Sequence, residues 1–251
     1  IETLAREMTD DLQAQVAGLS DGTHTLITKG VDFEIVIAGG EVMHTEGIDH
    51  DLIVKPFHQA GKVISLREFS DNAMNHHHGI QAEERFDLNP AKGFDPDHDQ
   101  DGVERELTIG DITAISVWQA QLSTPTQIMP KNPHARTMVE QGEALFEVVG
   151  CASCHMPVMT LNTRNFMEPN PYNPDGTCSG AAEGCPTYYF DMTTEGDKPR
   201  LEKGPQGTAI VRAYTDLKRH TLCDDEGDMD AIRFFCNEQL TQGRPKQNGI
   251  S

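Results

Sequence analysis

Apolar side chains recur every four residues at the start of the chain, at Leu4, Met8, Leu12 and Val16, with acids and amides between them. That period predicts a helix over residues 2–17. Phe33-Glu34-Ile35-Val36-Ile37, then Gly39-Gly40, then Glu41-Val42-Met43 predict a short hairpin. Ser65-Leu66-Arg67-Glu68 is a capping-box sequence that opens a helix to about residue 75, ended by Gly79. Residues 108–122 form the next helix, with Ile112, Ile115, Val117 and Trp118 apolar, and Thr124-Pro125 and Met129-Pro130 break it. Residues 123–133 are therefore a Pro-rich linker between a segment 1–122 and a segment 134–251. A helix over 133–149 follows, with Met138, Leu145, Phe146 and Val149 as its expected buried face. Residues 156–206 are rich in Pro, Gly, Asn and Thr and lack a period, so they read as a long loop region. Two shorter helices are expected around 209–220 and 228–240. The pattern predicts a mainly α fold with long loops and a small β-hairpin.

Composition narrows the partners. The chain has 251 residues, with 20 basic and 40 acidic side chains and a net charge of −20. Such a charge argues against nucleic acid and against an anionic membrane surface. It fits a protein with basic or neutral partners. No apolar run approaches the ~20 residues of a membrane helix. The first residue is not Met and no signal peptide is visible, so the amino terminus reads as processed or truncated.

The helix over 133–149 runs into Cys151-Ala152-Ser153-Cys154-His155. This is C-x-x-C-H, the attachment signal of a c-type haem. Two thiols about one turn apart can add to the two vinyl groups of one porphyrin, and the following His can ligate the iron. A thioredoxin-type pair does not require that His, and a zinc site needs a second ligand pair at suitable spacing. Cys178 and Cys185 lie seven apart and do not supply it. Four further cysteines remain, in two local pairs. Covalent haem is assembled outside the bacterial cytoplasm, where disulfides persist. Cys178–Cys185 and Cys223–Cys236 are therefore the expected bridges, with other pairings of the four open.

A second constellation is Asp95-Pro96-Asp97-His98-Asp99-Gln100-Asp101-Gly102-Val103-Glu104-Arg105-Glu106. Alternating carboxylates with a Gly at the sixth position suit a loop around Ca²⁺. Asp97, Asp99, Asp101, the carbonyl of Val103 and Glu106 are the expected ligands. Position twelve is Thr108 rather than Glu, so Glu106 would close a variant loop. Three consecutive histidines, His76, His77 and His78, follow the helix opened at Leu66. One of them can serve a haem pocket as ligand or acid–base group. On the far side of the attachment site, His220 lies 65 residues after His155 and is a candidate distal iron ligand, with Met192 the second candidate.

The stretch Gly142, Leu145, Phe146, Gly150 and C-x-x-C-H matches the opening of cytochrome c domains, in which the Phe packs near the haem edge. Further segments carry a wider resemblance: Val54-Lys55-Pro56-Phe57, Ser65-Leu66-Arg67-Glu68-Phe69, Asn75-His76-His77-His78-Gly79-Ile80-Gln81, the acidic loop with Glu106-Leu107-Thr108, Gly150 to Pro157, and Tyr214-Thr215-Asp216-Leu217-Lys218-Arg219-His220. In that order they resemble the di-haem cytochrome c peroxidase superfamily, in particular the di-haem oxidoreductase branch related to the enzyme that matures methylamine dehydrogenase. The resemblance implies cytochrome c-like domains, with 1–122 the end of a first one and 134–251 most of a second. It implies a periplasmic oxidoreductase that takes electrons from a small carrier protein through the haem at Cys151, Cys154 and His155, flanked by Phe146, Pro157 and His220. A second haem would then reduce a peroxide-type oxidant, with His76, His77, His78, Glu83 and Glu84 near its pocket. The chain departs from the family in having one C-x-x-C-H. The first haem motif would lie before Ile1 and the second distal segment after Ser251. The rival class is a non-enzymatic cytochrome c carrier or a subunit of a larger redox complex; a third is a calcium-dependent interaction module with a structural haem.

Overall fold

The computed structural model describes residues 1–58, 61–86, 97, 99–179 and 184–220. Its described residues divide into two compact units: an amino-terminal unit drawn from residues 2, 4–65 and 217–220, and a central unit drawn from residues 1, 3 and 66–216.

The amino-terminal unit is built from helix α1 (Glu2–Val16) and a three-stranded antiparallel sheet, β1 (Gly22–Thr28), β2 (Val31–Ala38) and β3 (Glu41–Thr45), in that order. Of the predicted stripe of α1, Leu4, Met8 and Leu12 are completely buried and Val16 is half-buried. The alternation of β2 buries Val31, Phe33, Ile35 and Ile37 and leaves Asp32 and Glu34 outside. A two-residue period sends successive side chains to opposite faces of a sheet. The hairpin of β2 and β3 forms where expected, and β1 joins it as an unforeseen third strand. β1 is an edge strand, and edge strands expose unpaired backbone groups. Here the Gln15 amide pairs with both Ile27 groups, donating to its carbonyl at 3.0 Å and accepting from its N–H at 3.2 Å.

Residues 217–220 belong to this unit. Lys218 Nζ donates to the Asp32 carbonyl at 2.9 Å, and Arg219 pairs with Asp49 at 2.6 Å. Gly47, at φ 80°, accepts from the Arg219 N–H on its carbonyl. A Cβ at Gly47 would meet Lys218 Cγ at 2.5 Å, so this close approach needs glycine.

The central unit contains α2 (Leu66–His78), α3 (Glu83–Phe86), α4 (Ile109–Ala120) and α5 (Pro133–Val148). Five short strands accompany them: β4 (Met159–Leu161), β5 (Asn165–Glu168), β6 (Tyr188–Asp191), β7 (Glu202–Lys203) and β8 (Ala209–Val211). The sheets are β4-β8-β7 and β5-β6. α4 starts at an N-cap, Thr108, with a full capping box to Asp111. α5 starts at Asn132, whose side chain accepts from the His134 and Ala135 N–H groups, with Pro133 at the first turn. Gln119 Nε2 of α4 donates to Ser70 Oγ of α2 at 3.1 Å.

These elements correct the expected mainly α fold. Of the described residues 33% are helical and 20% lie in strands. The expected loop over 156–206 contains β4 to β7, strands of two to four residues that are too short to display a period. The expected helix over 209–220 is absent; Ala209–Val211 is β8, whose Ile210 and Val211 are β-branched. The expected buried face of α5 is open: Met138 is 60 % exposed, Leu145 57 % and Val149 61 %. Residues 123–132 carry no helix or strand, and Thr124 is tied to the Pro199 carbonyl through its N–H at 2.8 Å and its hydroxyl at 3.0 Å. Cys178 and Cys185 form the expected disulfide. Cys223–Cys236 and the helix over 228–240 lie outside the described residues. No described helix is long and apolar enough to cross a membrane.

Candidate functional site

α5 ends at Val148 with Val149 as its C-cap, and Gly150 turns the chain with φ 87°, a left-handed conformation that suits glycine. A single tight turn, Cys151–Ser153, follows. The Ser153 N–H and hydroxyl both donate to the Gly150 carbonyl, at 3.1 and 2.7 Å. The His155 N–H donates to the Cys151 carbonyl at 3.0 Å. Both thiols are unbridged, Cys151 exposed and Cys154 half-buried. His155 is exposed.

The imidazole of His155 is held from a distant part of the chain. Its Nδ1 lies 3.1 Å from the Tyr214 carbonyl. The register of β4 on β8 explains the meeting. Met159 pairs with Val211 in an antiparallel ladder, so the residues just before β4 run back alongside those just after β8. Phe146 completes the cluster, with ring centroids 6.3 Å from His155 and 5.9 Å from Tyr214, edge-on to the latter.

This donor set fits a covalently attached haem. Two cysteines outside any disulfide and an imidazole share one turn. The Nδ1 contact with a carbonyl makes Nδ1 the protonated nitrogen and leaves Nε2 with the lone pair that a metal would need. Pro157, expected at the haem, is half-buried in the same segment. Met192 sits in the turn after β6, and its thioether takes the Thr3 hydroxyl at 4.0 Å. His220 belongs to the amino-terminal unit and closes the described chain.

The five candidate acid–base groups do not form one constellation. His76, His77 and His78 occupy the exposed last turn of α2, where His76 Nε2 lies 3.4 Å from Arg85 Nη2. Half-buried Glu83 accepts from the Ile109 N–H at 3.4 Å. Glu84 is fully buried in an ion network that sequence reading missed. Arg67, 1 % exposed, donates from Nε to both Glu84 oxygens at 3.1 and 2.8 Å. Its Nη1 reaches Glu168 Oε1 at 2.6 Å and Thr113 Oγ1 at 2.9 Å, and its Nη2 reaches the Ile109 carbonyl at 3.2 Å. Glu84 Oε2 also accepts from the Cys178 N–H at 3.2 Å, which joins the disulfide to the network. Burial raises the Glu84 carboxyl, against the pull of Arg67. Nearby Asp71 is also buried, with Oδ2 4.0 Å from Arg85 Nη1 and no hydrogen-bond partner for Oδ1 among the described residues.

In the acidic loop the carboxylates of Asp97, Asp99 and Asp101 converge, with one oxygen of each within 4.8 Å of the others. Gly102 turns at φ 87° and donates to Asp97 Oδ1 at 3.2 Å. Val103 is exposed. Glu106 has another partner: its Oε2 accepts from the Gln81 N–H at 2.6 Å. Asp95, Pro96 and His98 lie outside the described residues. Comparison of the chain with protein-family models, with curated proteins and with solved structures returned no match.

Proposed function

We propose that this chain is an extracytoplasmic c-type haem oxidoreductase of the di-haem peroxidase kind. It would pass electrons from a small redox carrier towards a second haem and a peroxide-type oxidant. The observation that carries the reading is the turn after α5, where two cysteines outside any disulfide and a carbonyl-anchored imidazole stand together. Each thiol, Cys151 and Cys154, would form a thioether by adding across a vinyl group, sulfur bonding to one carbon and the thiol hydrogen going to the other. His155 Nε2 would be the proximal iron ligand, and Phe146 would pack near the haem edge. Bound there, the haem supplies a one-electron iron couple. The disulfide Cys178–Cys185 supports an oxidising, periplasm-like setting. The net charge of −20 supports a basic donor, since opposite charge steers encounter.

Covalent attachment is tested on protein produced with c-type haem maturation. Acid–acetone extraction is expected to leave the haem on the chain, and Cys151→Ala with Cys154→Ala to abolish that retention. Haem released freely from the unsubstituted protein sinks the reading. Peroxide turnover then separates the enzyme from a carrier, and two irons per assembled protein would reveal the partner haem.

The reading includes Ca²⁺ at Asp97, Asp99 and Asp101, whose oxygens suit a hard cation. An ion that binds only the folded state stabilises it by about 2.7 kcal/mol at 100-fold excess over its Kd. Chelation is expected to lower the melting temperature of the holoprotein, and added Ca²⁺ to restore it. Asp99→Asn is expected to remove most of that response. Melting that ignores chelator contradicts the site.

A further inference from the structure

We propose that Tyr214 is a positioning residue for His155, which it holds by its carbonyl and by its ring together; this deepens the haem reading and rests on it. The segment that begins at Tyr214 was singled out in the sequence for its final His220. The geometry points to a separate role for its first residue.

Three observations carry this. The Tyr214 carbonyl is the 3.1 Å partner of His155 Nδ1. Tyr214 has φ 51°, a left-handed backbone that a bulky residue adopts only when its surroundings hold it there. The holding group is visible: the Tyr214 ring stands edge-on to Phe146, 5.9 Å between centroids, and Phe146 itself lies against the His155 ring. Tyr214, Phe146 and His155 thus form a closed set of three. The backbone contact fixes which nitrogen of His155 carries the proton. The ring contacts fix the backbone that makes it.

The consequence is electronic. A carbonyl that accepts from Nδ1 makes the imidazole a more basic ligand. A more basic ligand favours ferric over ferrous iron, so the intact contact keeps the reduction potential low. Outer-shell partners of ligating histidines alter metal affinity by about 10–100-fold when removed. Tyr214→Ala keeps a carbonyl but loses the ring that holds its backbone. It is expected to shift the reduction equilibrium about tenfold towards ferrous, which is about 59 mV upward for a one-electron couple. Tyr214→Phe keeps the ring and is expected to keep the potential of the unsubstituted protein.

The test is spectroelectrochemical titration of the holoprotein and both variants, with covalent haem content measured on each. A raised midpoint in Tyr214→Ala with an unchanged one in Tyr214→Phe supports the assignment. Equal midpoints in all three, each with full covalent haem, overturn it and leave the haem reading standing. Absence of covalent haem from the unsubstituted protein overturns both. If Tyr214→Ala does not fold, Phe146→Leu carries the test, because it removes the ring that Tyr214 leans on; a rise in midpoint supports the assignment and no shift overturns it.

Discussion

Replacing Arg67 by Ala is expected to destabilise the folded protein by about 3–5 kcal/mol, the cost typical of removing one partner from a buried ion pair. Folded domains are stable by only about 5–15 kcal/mol in total. The effect follows from what stays behind. Glu84 and Glu168 are both 0 % exposed, and Arg67 is the cation bonded to each of them. Without it two carboxylates share a water-poor interior. The loss also reaches several elements at once. The guanidinium joins α2 to α4 through Thr113 and Ile109, to β5 through Glu168 and to the disulfide through Glu84. Arg67→Lys keeps the charge but has three donors on one nitrogen in place of a planar fork. It is expected to recover part of the loss. Urea unfolding of the three proteins at one pH measures both effects, and a loss below about 1 kcal/mol for Arg67→Ala would contradict the account, being no more than an exposed pair is worth.

The sequence displays the parts of this fold that repeat a short-range pattern. The four-residue stripe of Leu4, Met8 and Leu12 becomes the buried face of α1. The two-residue alternation from Phe33 becomes β2. The short spacing of Cys178 and Cys185 suits the disulfide that forms. What stays hidden depends on partners far apart in the chain. Arg67 and Glu168 are 101 positions apart, and nothing local to Glu168 marks it as buried. His155 and Tyr214 are 59 apart, and they meet only because β4 pairs with β8. Strands of two to four residues carry too few positions to show alternation, which is why 156–206 reads as loop. α5 shows a third limit. Periodicity finds its apolar stripe, Met138, Leu145 and Val149, but a stripe does not name what packs on it. C-x-x-C-H is visible as a run of neighbouring residues, whereas the burial of Glu84 beside Arg67 is not. Its neighbour among the candidate acid–base groups, Glu83, differs from it by one position, yet is half-buried where Glu84 is fully buried.

Asp71→Asn is expected to stabilise the protein above pH 7 and to leave it nearly unchanged near pH 4. Burial pushes the Asp71 carboxyl from the ordinary 3.8 up to about 7, with repulsion from Glu84 and Glu68 adding to it and Arg85 and Arg67 opposing it. The unfolded chain releases this proton near 3.8, whereas the folded chain keeps it until about 7. Between those values the folded state binds more protons, so stability falls as pH rises. The contribution is fully present below 3.8 and is lost as pH climbs through about 7. A displacement of that size corresponds to about 4 kcal/mol at most between the two ends of the window. The geometry explains why the proton stays. Three buried carboxylates, Asp71, Glu84 and Glu168, stand near the buried guanidinium of Arg67. Arg67 is already bonded to two of them, and Arg85 lies 4.0 Å from Asp71 and also donates to Asn72. A neutral Asp71 removes the excess charge, and an Asn imitates that neutral form at every pH. Unfolding of both proteins from pH 4 to 8 is expected to show curves that coincide at the acid end and separate by about 2–4 kcal/mol at the other. Parallel curves across the whole range would show that Asp71 is ionised in the folded protein throughout, and that the network takes up no proton.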